Sequence, residues 1–373
     1  MELSQSFRKL RAQFDWPLAT AIVAISGIGL INLYSATRGA PRGLYNQQLI
    51  WFLVSAVIFV VVSAIDYRVL ERSAYAIFSV GVVVLVFILF AGKTVKGAKR
   101  WIGIGPLGVQ PSELAKIMIV LALGKLFSSE PIDLALRPWR YVAAAIGLML
   151  LPAIAIAKQP DLGTALIVCF VAATILLLAP LPLHVRVLAT FGEGLGALLL
   201  FVIKLYRHSK HDYQNRRWDT FWDPSSDPLG AGYQAQHGLL SVGSGRWFGK
   251  GYLHGLQTQL QFLPERWSDF PFAVWAEEWG FVGCAALLAL YLFLILWALH
   301  LGSQARDRFG QTICVGAAAM LFWQVLLNIG MVAGILPVVG VTLPLVSYGG
   351  SSLLTVMLML GLLMNVSIRR YSY

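Results

Sequence analysis

Five ionisable residues stand beside or inside one apolar run of this chain. Glu265, Arg266 and Asp269 precede the run, whereas Glu277 and Glu278 lie within it. Ionisable groups at membrane depth are costly and usually functional. A carboxylate at such a border can accept a proton from a reacting hydroxyl group, or it can cap the helix that follows. The residue types alone leave both roles open for Asp269.

Other polar residues also occur where apolar sequence begins or is interrupted. Glu113 and Lys116 are three residues apart, so they share one face of a helix. They form either a self-neutralising pair or part of a binding site. Asp161 follows Pro160 at the start of an apolar run, a pattern that favours helix capping over ligand contact. Ser347 interrupts another run and either bonds the local backbone or lines a cavity.

The composition is that of an integral membrane protein. The 373 residues are 58% hydrophobic and only 13% charged, whereas soluble domains carry about 25% charged residues. The three cysteines, Cys169, Cys284 and Cys314, lie in apolar runs without the spacing of a disulfide framework or a metal site. We expect buried packing thiols.

Apolar runs long enough to cross a bilayer recur along the chain. They predict an all-α polytopic membrane protein, a single domain over residues 1–373, with one long extracytoplasmic loop (206–270) between spans seven and eight. The ten predicted spans are 16–36, 47–64, 73–92, 113–128, 139–157, 161–180, 186–205, 271–299, 311–332 and 344–367.

The distribution of basic residues predicts the orientation. An even number of spans places both termini on one side, and the positive-inside rule makes that side the cytoplasm, because both ends are basic. Many cations then fall on the outer face, which indicates either an anionic ligand or a solvated cationic surface. They are Lys93, Lys96, Lys99, Arg100, Lys158, Arg207, Lys210, Arg216, Arg217, Arg246, Lys250 and Arg266.

Three segments depart from simple helical spans. Glycine and proline predict an irregular backbone over 92–112 and a broken span near 335–352, which protein or a wet cavity must line. A short amphipathic helix is expected near 233–242. The chain has no P-loop, dinucleotide-binding fingerprint, GxSxG elbow or HExxH motif. Nucleotide-driven pumping, serine hydrolysis and a zinc site therefore lack support.

Several motifs occur together in a recognisable order from Arg100 onward. They are RW followed by QPSELAK, then QPDLGT, DPLGAGYQ, FLPERWSDF with AEEWGFVG, and PLVSYGGSS. In these motifs the chain resembles the SEDS family, the shape, elongation, division and sporulation proteins of bacterial cell-wall synthesis. The FLPERxxDF form, the short tail and the length resemble the elongation branch more than the division branch.

The resemblance implies a peptidoglycan glycosyltransferase of the bacterial inner (cytoplasmic) membrane that polymerises lipid II at its outer face. It also implies a class B penicillin-binding protein, a transpeptidase, as partner, and no nucleic acid. Asp269 falls on the family's required aspartate, and Glu113, Lys116 and Arg217 fall on its other functional positions. Trp267 and several neighbours depart from the usual pattern, so details of the donor site carry over less directly.

These observations yield a mechanistic hypothesis with Asp269 as general base for the acceptor 4-hydroxyl group. Basic side chains, or a divalent cation such as Mg²⁺ or Mn²⁺, would offset charge on the departing diphosphate. No protein metal ligands are assigned. Glu277 and Glu278 are expected to pair with a neighbouring span. The expected substrate-binding residues are Arg100, Glu113, Lys116, Asp161, Arg217, Glu265, Arg266 and Ser347.

Two other functions remain open on the sequence alone. A lipid flippase would also have ten spans, intramembrane charge and broken helices, but its site should lie near the bilayer midplane. A non-catalytic scaffold would use its apolar surface to recruit a penicillin-binding protein and would not need Asp269. Contact with membrane lipid is expected in every case.

Overall fold

A computed structural model describes residues 14–39, 43–95, 98–104, 107–128, 131–192, 220–223 and 230–370. The described elements, in chain order, are α1 (Trp16–Ala36), α2 (Leu44–Ala64), α3 (Tyr67–Ala91), β1 (Lys93–Val95), β2 (Ala98–Ile104), β3 (Leu107–Val109), α4 (Pro111–Phe127), α5 (Pro131–Leu136), α6 (Pro138–Lys158), α7 (Leu162–Leu178), α8 (Ala231–Ser244), α9 (Leu256–Gln259), α10 (Pro271–Ser303), α11 (Arg308–Val332) and α12 (Gly350–Arg369). Residues 183–192 are also helical.

The helical membrane architecture expected from the sequence is confirmed. Within the described ranges, seven helices are long and apolar enough to cross a bilayer: α1, α2, α3, α6, α10, α11 and α12. A further apolar helix, α7, has 17 residues, as does α4, which carries three charged side chains. The chain is therefore a multi-pass membrane protein. The predicted span 186–205 is only partly described, and the total of ten spans stays a prediction.

The helices divide into a buried centre and a periphery. In the most apolar window of α12, 78% of residues are buried, compared with 17% in α2. Helix α4 is also central, and its Ile119 and Leu123 are fully buried. The outer faces of α2 and α3 expose large side chains such as Leu53 and Phe90. These apolar faces match a lipid environment, whereas the centre carries the polar residues considered below.

The last predicted span, 344–367, was placed too early. Helix α12 begins at Gly350, and residues 333–349 form irregular backbone between α11 and α12. We call residues 333–349 the crossing segment. Pro344 has no backbone N–H to donate, and Leu345 has a left-handed φ of 64°, so neither residue continues a helix from here. The expected break in this region is confirmed. The buried Ser347 lies within it.

The segment 92–112 is more regular than the expected irregular backbone. Strands β1, β2 and β3 form an antiparallel meander, with Lys93 opposite Trp101 and Ile102 opposite Val109. The glycines suggested an irregular backbone. The aromatic and β-branched residues between them favour strands, and this preference was not taken into account. Gly108 also permits close packing, because a Cβ there would lie 3.1 Å from Cε3 of Trp101.

Helix α10 contains a break that was not predicted from the sequence. Gly280 has φ 63° and ψ −161°, outside the helical region. Residues 245–251 dock against the break through their backbone. The N–H of Phe281 donates to the carbonyl of Arg246 at 2.8 Å, and the N–H of Gly251 donates to the carbonyl of Glu278 at 3.1 Å. These bonds satisfy backbone groups that the break releases from the helix. The predicted amphipathic helix in the preceding loop is confirmed as α8.

Candidate functional site

Asp269 lies on a tight turn immediately before α10. Its backbone N–H donates to the carbonyl of Glu265 at 3.0 Å, and Glu265 has a left-handed φ of 52°. Asp269 is partly exposed. The N-cap residue of α10 is Phe270, so Asp269 lies one residue before the cap position. The turn therefore places Asp269 at the border of a membrane-spanning helix, one residue before its N-cap.

Arg266 anchors the same turn to the end of α1. Its Nε donates to the carbonyl of Ala36 at 2.7 Å, and its Nη2 donates to the carbonyl of Arg38 at 3.1 Å. The residue is 2% exposed, and burial lowers the pKa of its guanidinium. Beside it, Ser268 Oγ donates to Glu265 Oε2 at 3.2 Å. Arg266 thus contacts backbone carbonyls in this structure.

Three further contacts hold the backbone of the turn. Asn328 Nδ2 of α11 donates to the carbonyl of Asp269 at 3.0 Å, and Asn32 Nδ2 of α1 donates to the carbonyl of Pro271 at 2.9 Å. The N–H of Tyr348 donates to the carbonyl of Trp267 at 2.7 Å. Neither asparagine was predicted from the sequence as a site residue. Polar amides inside the apolar runs of α1 and α11 were the signal that could have identified them.

Glu277 lies deeper along α10 and is fully buried. Its carboxylate accepts bonds from Lys250 Nζ at 3.0 Å, the N–H of Gln257 at 3.0 Å and the N–H of Thr258 at 3.2 Å. The expected pairing of Glu277 with a neighbouring span is therefore wrong, since its partners belong to the loop before α10. The sequence did not reveal that this loop folds back onto the helix.

Glu278 has a partner in a neighbouring span, as expected. It accepts a hydrogen bond from Ser35 Oγ of α1 and is 1% exposed. Next to it, the pKa of the Tyr252 phenol is raised, first by burial and then by the charge of Glu278. The two adjacent glutamates thus join α10 to different parts of the molecule. Both are buried, in contrast to the partly exposed Asp269.

A second polar cluster lies at the start of α4. Lys116 Nζ donates to Glu113 Oε2 at 2.8 Å, and both residues are buried, with Lys116 at 0% exposure. The predicted helical neighbours therefore form an ion pair within the protein. Because a buried charge is stable only when it is paired and hydrogen-bonded, each residue is the other's counter-charge in this structure.

Asp161 joins this cluster and caps α7. Its Oδ1 accepts the N–H of Thr164 at 3.3 Å, so the expected helix cap is confirmed. Its Oδ2 also accepts Gln110 Nε2 at 2.7 Å and Ser112 Oγ at 3.1 Å. The carboxylate therefore holds together the starts of α4 and α7. Ser351 of α12 extends the network, because its Oγ accepts the N–H of Gln110 at 2.9 Å.

Arg100 packs beside the same cluster. Its Nε donates to the carbonyl of Gln159 at 2.8 Å, and its Nη2 donates to the carbonyl of Pro160. The side chain is half-buried. Strand β2 thereby places a cation at the junction between α6 and α7. Arg217, another expected substrate contact, lies outside the described residues.

The crossing segment 333–349 joins the two clusters. On one side, a Cβ at Gly163 would lie 2.9 Å from the carbonyl oxygen of Val339, so the start of α7 packs tightly against the segment. On the other side, Asn328 Nδ2 donates to the carbonyl of Val341 at 2.6 Å while also bonding Asp269. The two groups of expected site residues are thus connected through one piece of non-helical backbone.

Ser347 supports the crossing segment from within. Its Oγ accepts the N–H of Leu343 at 2.7 Å, and its carbonyl accepts Gln48 Nε2 at 3.4 Å. The neighbouring Tyr348 donates its hydroxyl hydrogen to Gln47 Oε1 at 2.6 Å, and burial raises the pKa of this phenol. Ser347 therefore bonds the local backbone, one of the two roles left open by the sequence.

Comparison with known proteins identifies the family. Residues 16–372 match the model of the FtsW/RodA/SpoVE family, described as cell cycle proteins. The chain is 38% identical over 360 residues to the peptidoglycan glycosyltransferase MrdB of Escherichia coli (strain K12), covering 96% of this chain and 95% of MrdB. It is 31% identical to the peptidoglycan glycosyltransferase RodA of Treponema pallidum (strain Nichols), covering 96% and 98% of the two chains.

Solved structures agree with this assignment. A chain from a structure titled "Structural coordination of polymerization and crosslinking by a peptidoglycan synthase complex" matches with TM-score 0.80 and 33% identity, over 96% of this chain and 99% of that chain. The rod shape determining protein RodA of Thermus thermophilus matches with TM-score 0.71 and 32% identity, over 96% and 98%. The resemblance inferred from the motifs is confirmed, and the chain belongs to the FtsW/RodA/SpoVE family.

Proposed function

We infer that this chain is a peptidoglycan glycosyltransferase that polymerises lipid II into β-1,4 glycan strands during cell elongation. Family membership and relatives named for this activity support the reaction class. Within the chain, one observation carries the assignment of the site. Of the three acidic residues from Asp269 to Glu278, only Asp269 is partly exposed, whereas Glu277 and Glu278 are buried.

Asp269 is the proposed general base. The acceptor hydroxyl group must lose a proton as its oxygen attacks the anomeric carbon of the donor, and a positioned carboxylate can accept that proton. The C–O bond to the donor diphosphate breaks as the new glycosidic bond forms. Polyprenyl diphosphate leaves with the bonding electron pair, and inversion of the α-linked donor gives the β-1,4 product. Glu265 and Arg266 support the turn that carries the base.

Negative charge on the departing diphosphate requires nearby positive charge. Arg100 and Arg217 are the proposed contacts. Lys116 is a third: when substrate binds, its ammonium group would leave the Glu113 carboxylate and pair with a phosphate oxygen. Glu113, Asp161 and Ser347 then shape the surrounding pocket. In the described part of the chain, no three His, Cys, Asp or Glu side chains cluster as a metal site would require. The proposal assigns the counter-charge to basic side chains, and a bound divalent cation such as Mg²⁺ or Mn²⁺ would offset the same charge.

The reaction is proposed to take place at the outer face of the bacterial inner membrane, with both termini in the cytoplasm. The distribution of basic residues at the chain ends supports this orientation. The proposed partner is a class B penicillin-binding protein that crosslinks the new strand. The neighbouring structure of a complex that coordinates polymerization and crosslinking supports such a partnership. The long loop before α10 belongs to the same transmembrane domain in this proposal.

Purified full-length protein in lipid nanodiscs, supplied with lipid II, tests this assignment. We expect glycan polymer from the wild type and a loss of about 10²-fold to 10⁴-fold in Asp269→Ala, because a general base contributes that much to rate. Polymer formed equally well by Asp269→Ala would overturn the base assignment. In proteoliposomes, movement of lipid II across the bilayer without polymer would instead identify a flippase, and binding of the penicillin-binding protein alone would identify a scaffold.

A further inference from the structure

Two buried asparagines from different helices hold the backbone from Asp269 to Pro271, on the C-terminal side of the Asp269 side chain. Asn328 of α11 donates to the carbonyl of Asp269 at 3.0 Å, and Asn32 of α1 donates to the carbonyl of Pro271 at 2.9 Å. Because α1 and α11 both reach this short stretch, the start of α10 is fixed from two directions. Neither asparagine was among the residues expected to form the site.

The surroundings of these two amides indicate that the N–H groups, and not the oxygens, make the contacts of these side chains. Asn32 and Asn328 are both 0% exposed. Within the described part of the chain, the Oδ1 atom of each has no hydrogen-bond partner. A buried acceptor without a partner lowers stability, whereas an apolar residue of the same size would avoid that loss. Each asparagine thus keeps an unpartnered buried oxygen that lowers stability. The same side chain supplies the N–H group that bonds the segment carrying Asp269.

We propose that Asn328 and Asn32 are positioning residues that set the orientation of the Asp269 carboxylate toward the acceptor hydroxyl group. This inference rests on the proposed function, in which Asp269 is the base. It assigns a role in the reaction rate to two side chains that do not touch the substrate. The principal contribution comes from Asn328, because it bonds the carbonyl of Asp269 itself.

The short side chain of aspartate explains how a backbone contact acts on the carboxylate. Only one methylene group separates the carboxylate from Cα, so rotation of the Asp269 peptide moves the carboxylate directly. Asn328 Nδ2 also donates to the carbonyl of Val341 at 2.6 Å, which ties the turn to the crossing segment. Misplacement of a catalytic group by about 1 Å can lower the rate about 10²-fold. Loss of the Asn328 amide is therefore expected to reduce turnover more than substrate binding.

Asn365 provides a control of the same residue type elsewhere in the bundle, with the difference that its Oδ1 accepts a bond from Arg369 Nη1 at 2.8 Å. Its Nδ2 donates to the carbonyls of Val62 and Ile65 at the end of α2. Along α12 it lies about 20 Å beyond Ser351, at 1.5 Å per residue. Replacing Asn365 by leucine therefore removes a buried amide that bonds two carbonyls but leaves the Asp269 turn intact. Any general effect of such a change on folding should appear in both variants.

The experiment measures kcat and KM for lipid II polymerisation, normalised to folded protein, in Asn328→Leu, Asn32→Leu and Asn365→Leu. We expect kcat to fall about tenfold to a hundredfold in Asn328→Leu with KM unchanged, because misorientation affects the transition state more than binding. A smaller fall is expected in Asn32→Leu. The control should lose thermal stability but keep its kcat per folded molecule.

A wild-type kcat in Asn328→Leu, or an equal loss in Asn365→Leu, would overturn the positioning role. Asp269→Asn, measured beside them, separates this inference from the proposed function. If Asp269→Asn is inactive while Asn328→Leu turns over normally, only the positioning role fails. If Asp269→Asn is fully active, the base assignment itself fails and the positioning role fails with it.

Discussion

The Asp269 turn and the Glu113–Lys116 pair carry charge in two different ways. Asp269 is partly exposed, and its backbone bonds Asn328 and the carbonyl of Glu265. Glu113 and Lys116 are buried, and their side chains bond each other at 2.8 Å. The first arrangement fixes the backbone of an acidic residue that stays partly exposed. In the second arrangement the two charges are paired with each other inside the protein. Substrate could therefore bind Lys116 only if Lys116 separated from Glu113.

The largest effect on stability is expected from breaking the buried pair. Lys116→Met would leave the Glu113 carboxylate buried without its cation, which should lower the free energy of unfolding by about 3–5 kcal/mol. The double variant Glu113→Gln with Lys116→Met removes both charges and should lose much less. Unfolding of the purified proteins in detergent, followed by circular dichroism, measures both. An equal loss of stability in the single and the double variant would show that Lys116 is not the main counter-charge of Glu113.

An intermediate effect is expected at Glu277, which resembles the pair in its burial. Glu277→Gln removes the charge that accepts bonds from Lys250 and from the backbone of Gln257 and Thr258. We expect a loss of about 1.5–3 kcal/mol, the range for hydrogen bonds to charged groups. Hydrogen exchange at the two backbone amides should become faster.

Lys250→Gln is the matched control for Glu277. When Lys250, whose side chain is 28% exposed, is replaced, the backbone amides of Gln257 and Thr258 still bond the buried Glu277 carboxylate, so we expect a smaller loss than in Glu277→Gln. If Lys250→Gln destabilised the protein as much as Glu277→Gln, the salt bridge rather than the backbone amides would dominate this contact.

The smallest of these effects is expected at the cap of α7. Asp161→Ala should lower the free energy of unfolding by about 0.5–2 kcal/mol, because the N–H of Thr164 loses its cap. Asp161→Asn keeps an oxygen in the capping position and should retain most of that stability. Thermal unfolding compares the two variants. If the two variants lose the same stability, the stabilising effect of Asp161 comes from its carboxylate charge and its bonds to Gln110 and Ser112, and not from the cap.

The sequence predicted the apolar helices and the polar residues at their ends well, because both follow local rules. The run of α1 was placed at its observed bounds, and Asp161 was recognised as a cap from its position beside Pro160. The proximity of Glu113 and Lys116 followed from helical spacing alone. Features of this kind depend on residues that are neighbours along the chain.

Features that depend on long-range contacts were missed or misjudged. Lys250 precedes Glu277 by 27 residues, and Asn328 follows Asp269 by 59, so neither contact has a local sequence signature. The break at Gly280 exists because another segment docks its backbone there. The start of α12 was placed too early because apolar composition outweighed the effect of Pro344. Tertiary contacts determine these features.

The most direct test of the central claim compares Asp269→Asn with Glu277→Gln in lipid II polymerisation per folded molecule. We expect Asp269→Asn to lose about 10²-fold to 10⁴-fold in rate while its unfolding stays close to that of the wild type. Glu277→Gln should unfold more easily and lose far less rate per folded molecule. The opposite pattern, with active Asp269→Asn and inactive but stable Glu277→Gln, would contradict the assignment of Asp269 as the base.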